Sequence, residues 1–147
     1  MATTAPFRIE NLEVYRKSIG LGTRLYQSAG SHGANGNGNG AVGGKVRETA
    51  LAMVLNLASG LGFWEKQWKT SHFAASKRAL MELTPLLELM VALGEMKAET
   101  EAQYAGELQD LTRMIGGLLR QAQRREGVEE PGPPREGGAC ESPTFYH

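Results

Sequence analysis

The residues best suited to metal ligation or nucleophilic attack are three histidines, His32, His72 and His147, and one cysteine, Cys140. A metal-binding bundle places Glu-x-x-His pairs inward on two helices. No histidine here has a carboxylate or a second histidine three or four residues away. A Cys–His nucleophile needs a structured pocket, and Cys140 stands in a Pro/Gly-rich stretch. Ser76 follows His72 by four residues, but on an apolar stripe with no third group to orient the pair. Gly38, Gly40 and Gly43 satisfy a G-x-G-x-x-G spacing, yet no strand pattern precedes them, and a phosphate cradle of that type needs one. The P-loop pattern fails at Asn39, where its first glycine belongs, and at Val46, where Ser or Thr would hold magnesium. These residues predict no cofactor, no metal and no catalytic site.

The cations form a clearer pattern. Residues 66–78, KQWKTSHFAASKR, carry Lys66, Lys69, Lys77 and Arg78 and no acid. Trp64, Trp68 and Phe73 interleave with them. Cations attract phosphates, and aromatic faces can stack on bases. Arg113, Arg120 and Arg124 recur at helical spacing, with Arg125 beside them, and Arg16, Lys17 and Arg24 form a third group. The competing reading is a solvated face whose cations complement helix C-terminal dipoles. In that reading Trp64, Trp68 and Phe73 belong to the core or to a protein interface.

Helices must position these side chains. Apolar residues at steps of three and four put one stripe along a helix. Four segments show it: Leu12, Tyr15, Ile19, Gly22, Tyr26; Val46, Ala50, Met53, Leu57; Phe73, Ser76, Leu80, Leu83, Leu87, Met90; and Tyr104, Leu108, Leu111, Ile115, Leu118, Ala122. No segment has a convincing period of two. The stripes predict helices near 8–28, 45–61, 64–95 and 99–125. Gly60 and Gly62 can stop the second, and Gly94 lies near the end of the third. Short joints favour an all-α, antiparallel up-down four-helix bundle. Pro85 strains the third segment, because a proline cannot donate to the carbonyl four residues back, and a bend near Thr84–Pro85 is expected. Gly22 falls on the first stripe and reads as a packing notch.

The domain is expected to span residues 1–125, with a flexible loop at 30–44 and a disordered acidic tail at 126–147. The loop, GSHGANGNGNGAVGG, contains seven glycines and three asparagines, too little side chain to offset the entropy of ordering. The tail holds four of the six prolines. Across all 147 residues, 16 basic and 16 acidic side chains cancel. That zero combines a +4 body, with 15 bases and 11 acids, and a −4 tail with Arg135 against five glutamates. A hydrophobic fraction of 41% excludes a wholly disordered chain. The single cysteine excludes an intramolecular disulfide and suits a reducing compartment. The N-terminus lacks the basic and apolar regions of a signal peptide, and no apolar run approaches the ~20 residues of a membrane span. A cytoplasmic location is expected.

Several of these residues resemble the bacterial four-helix bundle proteins first noticed as products of intervening sequences in 23S ribosomal RNA genes. That family opens its first helix with an aromatic and a Leu-x-Val-aromatic run, which Phe7, Leu12, Val14 and Tyr15 fit. Its second-helix signature reads roughly L-R-R-A-A-x-S-x-P-x-N-I-A-E-G. Residues 46–60, VRETALAMVLNLASG, keep Arg47, Ala50, Asn56, Ala58 and Gly60, with Val46 and Leu57 as apolar equivalents. A Leu-x-Glu-Leu motif is matched by Leu80, Glu82 and Leu83, and residues 113–119, RMIGGLL, look like the family's last helix. The resemblance covers residues 7–122. Departures are Ser59 for the family's glutamate, Glu48 for its second arginine, the glycine-rich loop in place of a Phe-Pro connection, and Pro85.

The resemblance implies a homopentameric ring and no enzymatic activity. Related bundles, the accessory variability proteins of diversity-generating retroelements, are basic pentamers that bind nucleic acid and a reverse transcriptase. The expectation is therefore an oligomeric scaffold contacting RNA or DNA through Lys66, Lys69, Lys77, Arg78, Arg113, Arg120, Arg124 and Trp68, with a reverse transcriptase as a candidate partner. Leu51, Val54, Leu55, Leu86, Leu89, Val91 and Leu93 widen the apolar stripes beyond one seam, which favours self-association. The alternative is a protein-interaction module that binds no nucleic acid.

Overall fold

The structure, a computed structural model, describes residues 9–32, 40–62 and 65–124. Four α-helices account for nearly all of them: α1 (Ile9–His32), α2 (Gly40–Gly62), α3 (Lys66–Ala92) and α4 (Ala98–Arg124). There is no strand among the described residues. The expected tail at 126–147, with Cys140, and also Trp64 and Arg125, lie outside the described residues.

The helix ends have local causes. Beyond α3, Gly94 adopts φ +78. Its N–H donates to the Val91 carbonyl at 3.0 Å, and the Glu95 N–H donates to the Met90 carbonyl at 2.8 Å. This paired closure satisfies carbonyls that the helix leaves open, and glycine takes the left-handed conformation without a Cβ penalty. In α4, Glu99 and Glu101 occupy the first turn and Arg124 the last, each matched to the local helix dipole.

Two boundaries differ from the sequence reading. Helix α1 continues to His32, and its Ala29 is fully buried. Helix α2 starts at Gly40, inside the stretch expected to be a loop. Gly43 is buried and Val42 packs against the core, so tertiary contact overrides the poor helix propensity of glycine. Helix α3 runs unbroken through Pro85. Pro85 and Met81 are both exposed, so the carbonyl that loses its helical donor belongs to an exposed turn. With ends at Lys66 and Ala92, α3 has 27 residues, the same as α4.

The core is built from stripes on all four helices: Leu21 and Leu25 on α1, Met53 and Leu57 on α2, Phe73, Leu80, Leu83, Leu87 and Met90 on α3, and Leu111 and Ile115 on α4. The stripes read for α2 and α3 are buried throughout, and that of α4 is buried except for partly covered Leu118. The stripe read for α1 needs correction. Val14, Ser18, Leu21, Leu25 and Ala29 face the core, while Ile19 and Tyr26 are exposed. The α1 sequence carries two stripes about 100° apart, and the one holding Leu21 and Leu25 is the inner one. Small Ser18 is accommodated because its hydroxyl donates to the Tyr15 carbonyl at 2.8 Å.

Helix α2 packs most extensively on α3, α1 and α3 pack on α2 and α4 respectively, and the α1–α4 seam is the sparsest. Two glycines set close approaches. A β-carbon on Gly22 would lie 2.9 Å from Val54 Cγ2, so the packing-notch reading holds. A β-carbon on Gly60 would lie 2.6 Å from the Phe73 ring. Gly60 is therefore not a helix stop; α2 continues past it to Gly62.

Candidate nucleic-acid interface

The N-terminal half of α3 carries the interleaved cations and aromatics, but not as one surface patch: Phe73 belongs to the core and Trp68 is partly buried. Lys69 turns toward the end of α2. Its ammonium donates to the Gly60 carbonyl at 2.8 Å and lies 5.5 Å from the centre of the Phe73 ring. A cation there satisfies a terminal helix carbonyl and complements the dipole. The same site explains the buried face of Phe73 against Gly60. Lys69, expected to contact nucleic acid, thus has a structural task that ties α2 to α3.

Trp68 also has a protein partner. Its ring stacks on His72, with centroids 5.5 Å apart and planes 10° from parallel. His72 Nδ1 lies 3.1 Å from Asn56 Oδ1, and Asn56 Nδ2 donates to the Ala52 carbonyl at 2.8 Å. Because the amide nitrogen of Asn56 is donating elsewhere, its oxygen accepts, and Nδ1 of His72 carries the proton. Burial lowers the His72 pKa below that of a free imidazole. Ser76 is fully buried and donates to the Met53 carbonyl at 2.8 Å, which is a packing bond between helices. Among the described residues, no three His, Cys, Asp or Glu side chains gather as a metal set.

The remaining expected site residues divide by partner. Arg113 donates to Asp110 at 2.6 Å within α4, so its charge is locally balanced. Lys66, at the first position of α3, is half-buried. Lys77, Arg78, Arg120 and Arg124 have no acidic partner among the described residues. Lys77 on α3 and Arg120 on α4 converge across the seam. Both approach the place a Gly116 β-carbon would take, Arg120 Nη1 at 3.6 Å and Lys77 Nζ at 3.9 Å. Sequence spacing alone could not show this pairing, because the residues belong to different helices.

The α1 cations play other parts. Arg24 holds Glu107 of α4 through two bonds of 3.0 and 2.6 Å. That bond holds the Glu107 carboxyl below its usual range and raises the Arg24 pKa. Tyr104 reinforces the seam by donating to the Arg24 carbonyl at 3.1 Å, with Ser28 Oγ 2.8 Å from its hydroxyl. Arg47, one of the residues that carried the family resemblance, lies 4.2 Å over the Tyr26 ring.

A separate apolar surface flanks α1 and α2. A groove of about 360 Å³ is lined by Ile19, Gly22, Tyr26, Leu51 and Val54, among others. Leu51 is 48% and Leu55 62% exposed. Leu89 on α3 and Leu93 just beyond its end are also exposed, whereas Leu86 and Val91 pack partly on the core. No helix among the described residues is long and apolar enough to cross a membrane. Comparison with protein-family models, curated proteins and solved structures finds no match to this chain.

Proposed function

We propose that this protein is a non-enzymatic, oligomeric scaffold, an up-down antiparallel four-helix bundle that binds RNA or DNA through a basic face. One observation carries the binding part: Lys77, Arg78, Arg120 and Arg124 lie on two packed helices without acidic partners among the described residues. Cations left unneutralised on a folded surface are what a polyanion displaces counterions from. The contact pairs support the antiparallel arrangement. Met53 meets Ser76 while the later Gly60 meets the earlier Phe73, and Arg24 meets Glu107 while the later Ser28 meets the earlier Tyr104.

The site differs from the set the sequence suggested. Lys77, Arg78, Arg120 and Arg124 form its centre. Lys69, Trp68 and Arg113 are engaged within the protein and support the surface. The resemblance to the ribosomal RNA intervening-sequence bundles supports the same reading, and two of its matching residues have physical roles here: Asn56 holds His72, and Gly60 admits the Phe73 ring. On that resemblance the oligomer is a pentamer and a reverse transcriptase is a candidate partner.

Fluorescence anisotropy with a structured RNA and a single-stranded DNA tests the binding. Replacing Lys77, Arg78, Arg120 and Arg124 by glutamine should abolish binding and leave the oligomer unchanged. Binding that survives the fourfold replacement would exclude this face. A second reading has its own support. The exposed Leu51 and Leu55 beside the α1–α2 groove favour a protein-interaction module without nucleic-acid binding, in which case no polyanion binds even at low salt.

A further inference from the structure

Two consecutive glycines, Gly116 and Gly117, stand in the interior of α4, where each lowers helix stability relative to alanine. Gly22 and Gly60 are explained by tight packing, but Gly116 is not. Among the described residues, and apart from the helix's own backbone, the groups near its missing β-carbon are the ends of two cationic side chains, Arg120 Nη1 and Lys77 Nζ, at ordinary contact distances. Arg120 Nη2 lies 3.9 Å from the corresponding position on Gly117. A helical side chain leans toward the preceding turn, and with no side chain on that turn the guanidinium rests against bare backbone. Lys77 reaches the same spot from α3. Two like charges are thus held over a side-chain-free notch, with no acidic partner for either among the described residues.

We infer that this notch is a seat for one phosphate oxyanion, held by Lys77 from one helix and Arg120 from the other. An ammonium and a guanidinium are the two cations best suited to phosphate, one as a point charge and one as a fork of donors. The missing side chains let both cationic ends settle against the backbone of α4. The inference deepens the nucleic-acid reading and rests on it for the source of the phosphate, which would be a backbone phosphodiester. The oxyanion chemistry itself is shared with free phosphate, so the two sources can be tested separately.

The glycines make the test discriminating. In Gly116→Ala the added methyl fits without a clash but occupies the notch. Helix propensity should raise Tm by about 4 °C, while phosphate affinity should fall about threefold to tenfold. Stability and binding therefore move in opposite directions, which a merely structural glycine would not produce. Lys77→Gln, a change at the surface end of the side chain, serves as the second variant.

Titration of the full chain with inorganic phosphate, followed through the amide resonances of Gly116 and Gly117, reads the seat directly. Saturable shifts that need about threefold to tenfold more phosphate in Gly116→Ala, read there at Gly117, and that also weaken in Lys77→Gln support it. Shifts that are absent, or unchanged in both variants, overturn it. Oligonucleotide anisotropy then reads the source. A weaker affinity in Gly116→Ala, and a salt slope reduced by about one in Lys77→Gln, support a phosphodiester contact. If phosphate occupies the seat while no oligonucleotide binds the unmodified protein, the nucleic-acid reading fails and the seat stands.

Discussion

Gly60 and Gly116 are both buried helical glycines, yet they answer different needs. At Gly60 the constraint is the Phe73 ring. Gly60→Ala should destabilise the protein by about 1–3 kcal/mol through overpacking, despite the gain in helix propensity, and urea denaturation measures it. His72 gives a pH signature at the same scale. Burial holds its pKa below the free value, so the neutral ring is preferred in the folded state. That contribution is complete above the unfolded pKa, about 6.5, and declines as pH falls through it toward the lowered folded value. Tm should therefore drop on acidification below about pH 6.5, and His72→Gln should flatten that part of the profile. An unflattened profile would assign the acid sensitivity to other groups.

Helix by helix, the sequence specifies the inner face to different degrees. Stripes on α2, α3 and α4 are read correctly because Met53, Leu57, Leu80, Leu83, Leu108 and Ile115 continue unbroken steps of three and four, although Leu51, Leu55 and Leu89 stay exposed on other faces. On α1, two stripes run side by side, and steps of three and four fit Tyr15, Ile19 and Tyr26 as well as Val14, Leu21 and Leu25, so periodicity alone does not rank the inner face. The start of α2 is hidden by its glycines, whose helical state depends on contacts of Val42 and Gly43 that no local rule contains. Candidate cations are identifiable by type, but their partners are not. Lys69 bonds to Gly60 and Arg113 to Asp110, while Lys77 meets Arg120 across helices. Arg24 and Glu107 join α1 to α4 at 50% and 41% side-chain exposure. Solvent screening keeps such pairs weak, so a double-mutant cycle with Arg24→Gln and Glu107→Gln should yield a coupling of no more than about 1 kcal/mol. A coupling of several kcal/mol would show that this sparse seam depends on the ion pair.

For the whole molecule, the distribution of charge and of exposed apolar surface decides the account. The zero net charge is composed of a +4 body and a −4 segment at 126–147. That acidic segment follows Arg120 and Arg124 directly in the chain, at high effective concentration near them. Deleting residues 126–147 should tighten nucleic-acid binding, most at low salt; an unchanged affinity would refute competition by the segment. The exposed Leu51 and Leu55 make a separate prediction. Leu51→Glu with Leu55→Glu should reduce the oligomer mass measured by light scattering without unfolding the bundle, and an unchanged mass would place the interface elsewhere.

Lys77, Arg78, Arg120 and Arg124, which have no acidic partner among the described residues, are proposed to bind a polyanion. The most direct measurement of that binding is the salt dependence of oligonucleotide affinity for the full chain. About four phosphate contacts predict that log K falls linearly with log salt at a slope near −3 to −4. A flat salt dependence, or no binding at low ionic strength, would contradict the claim.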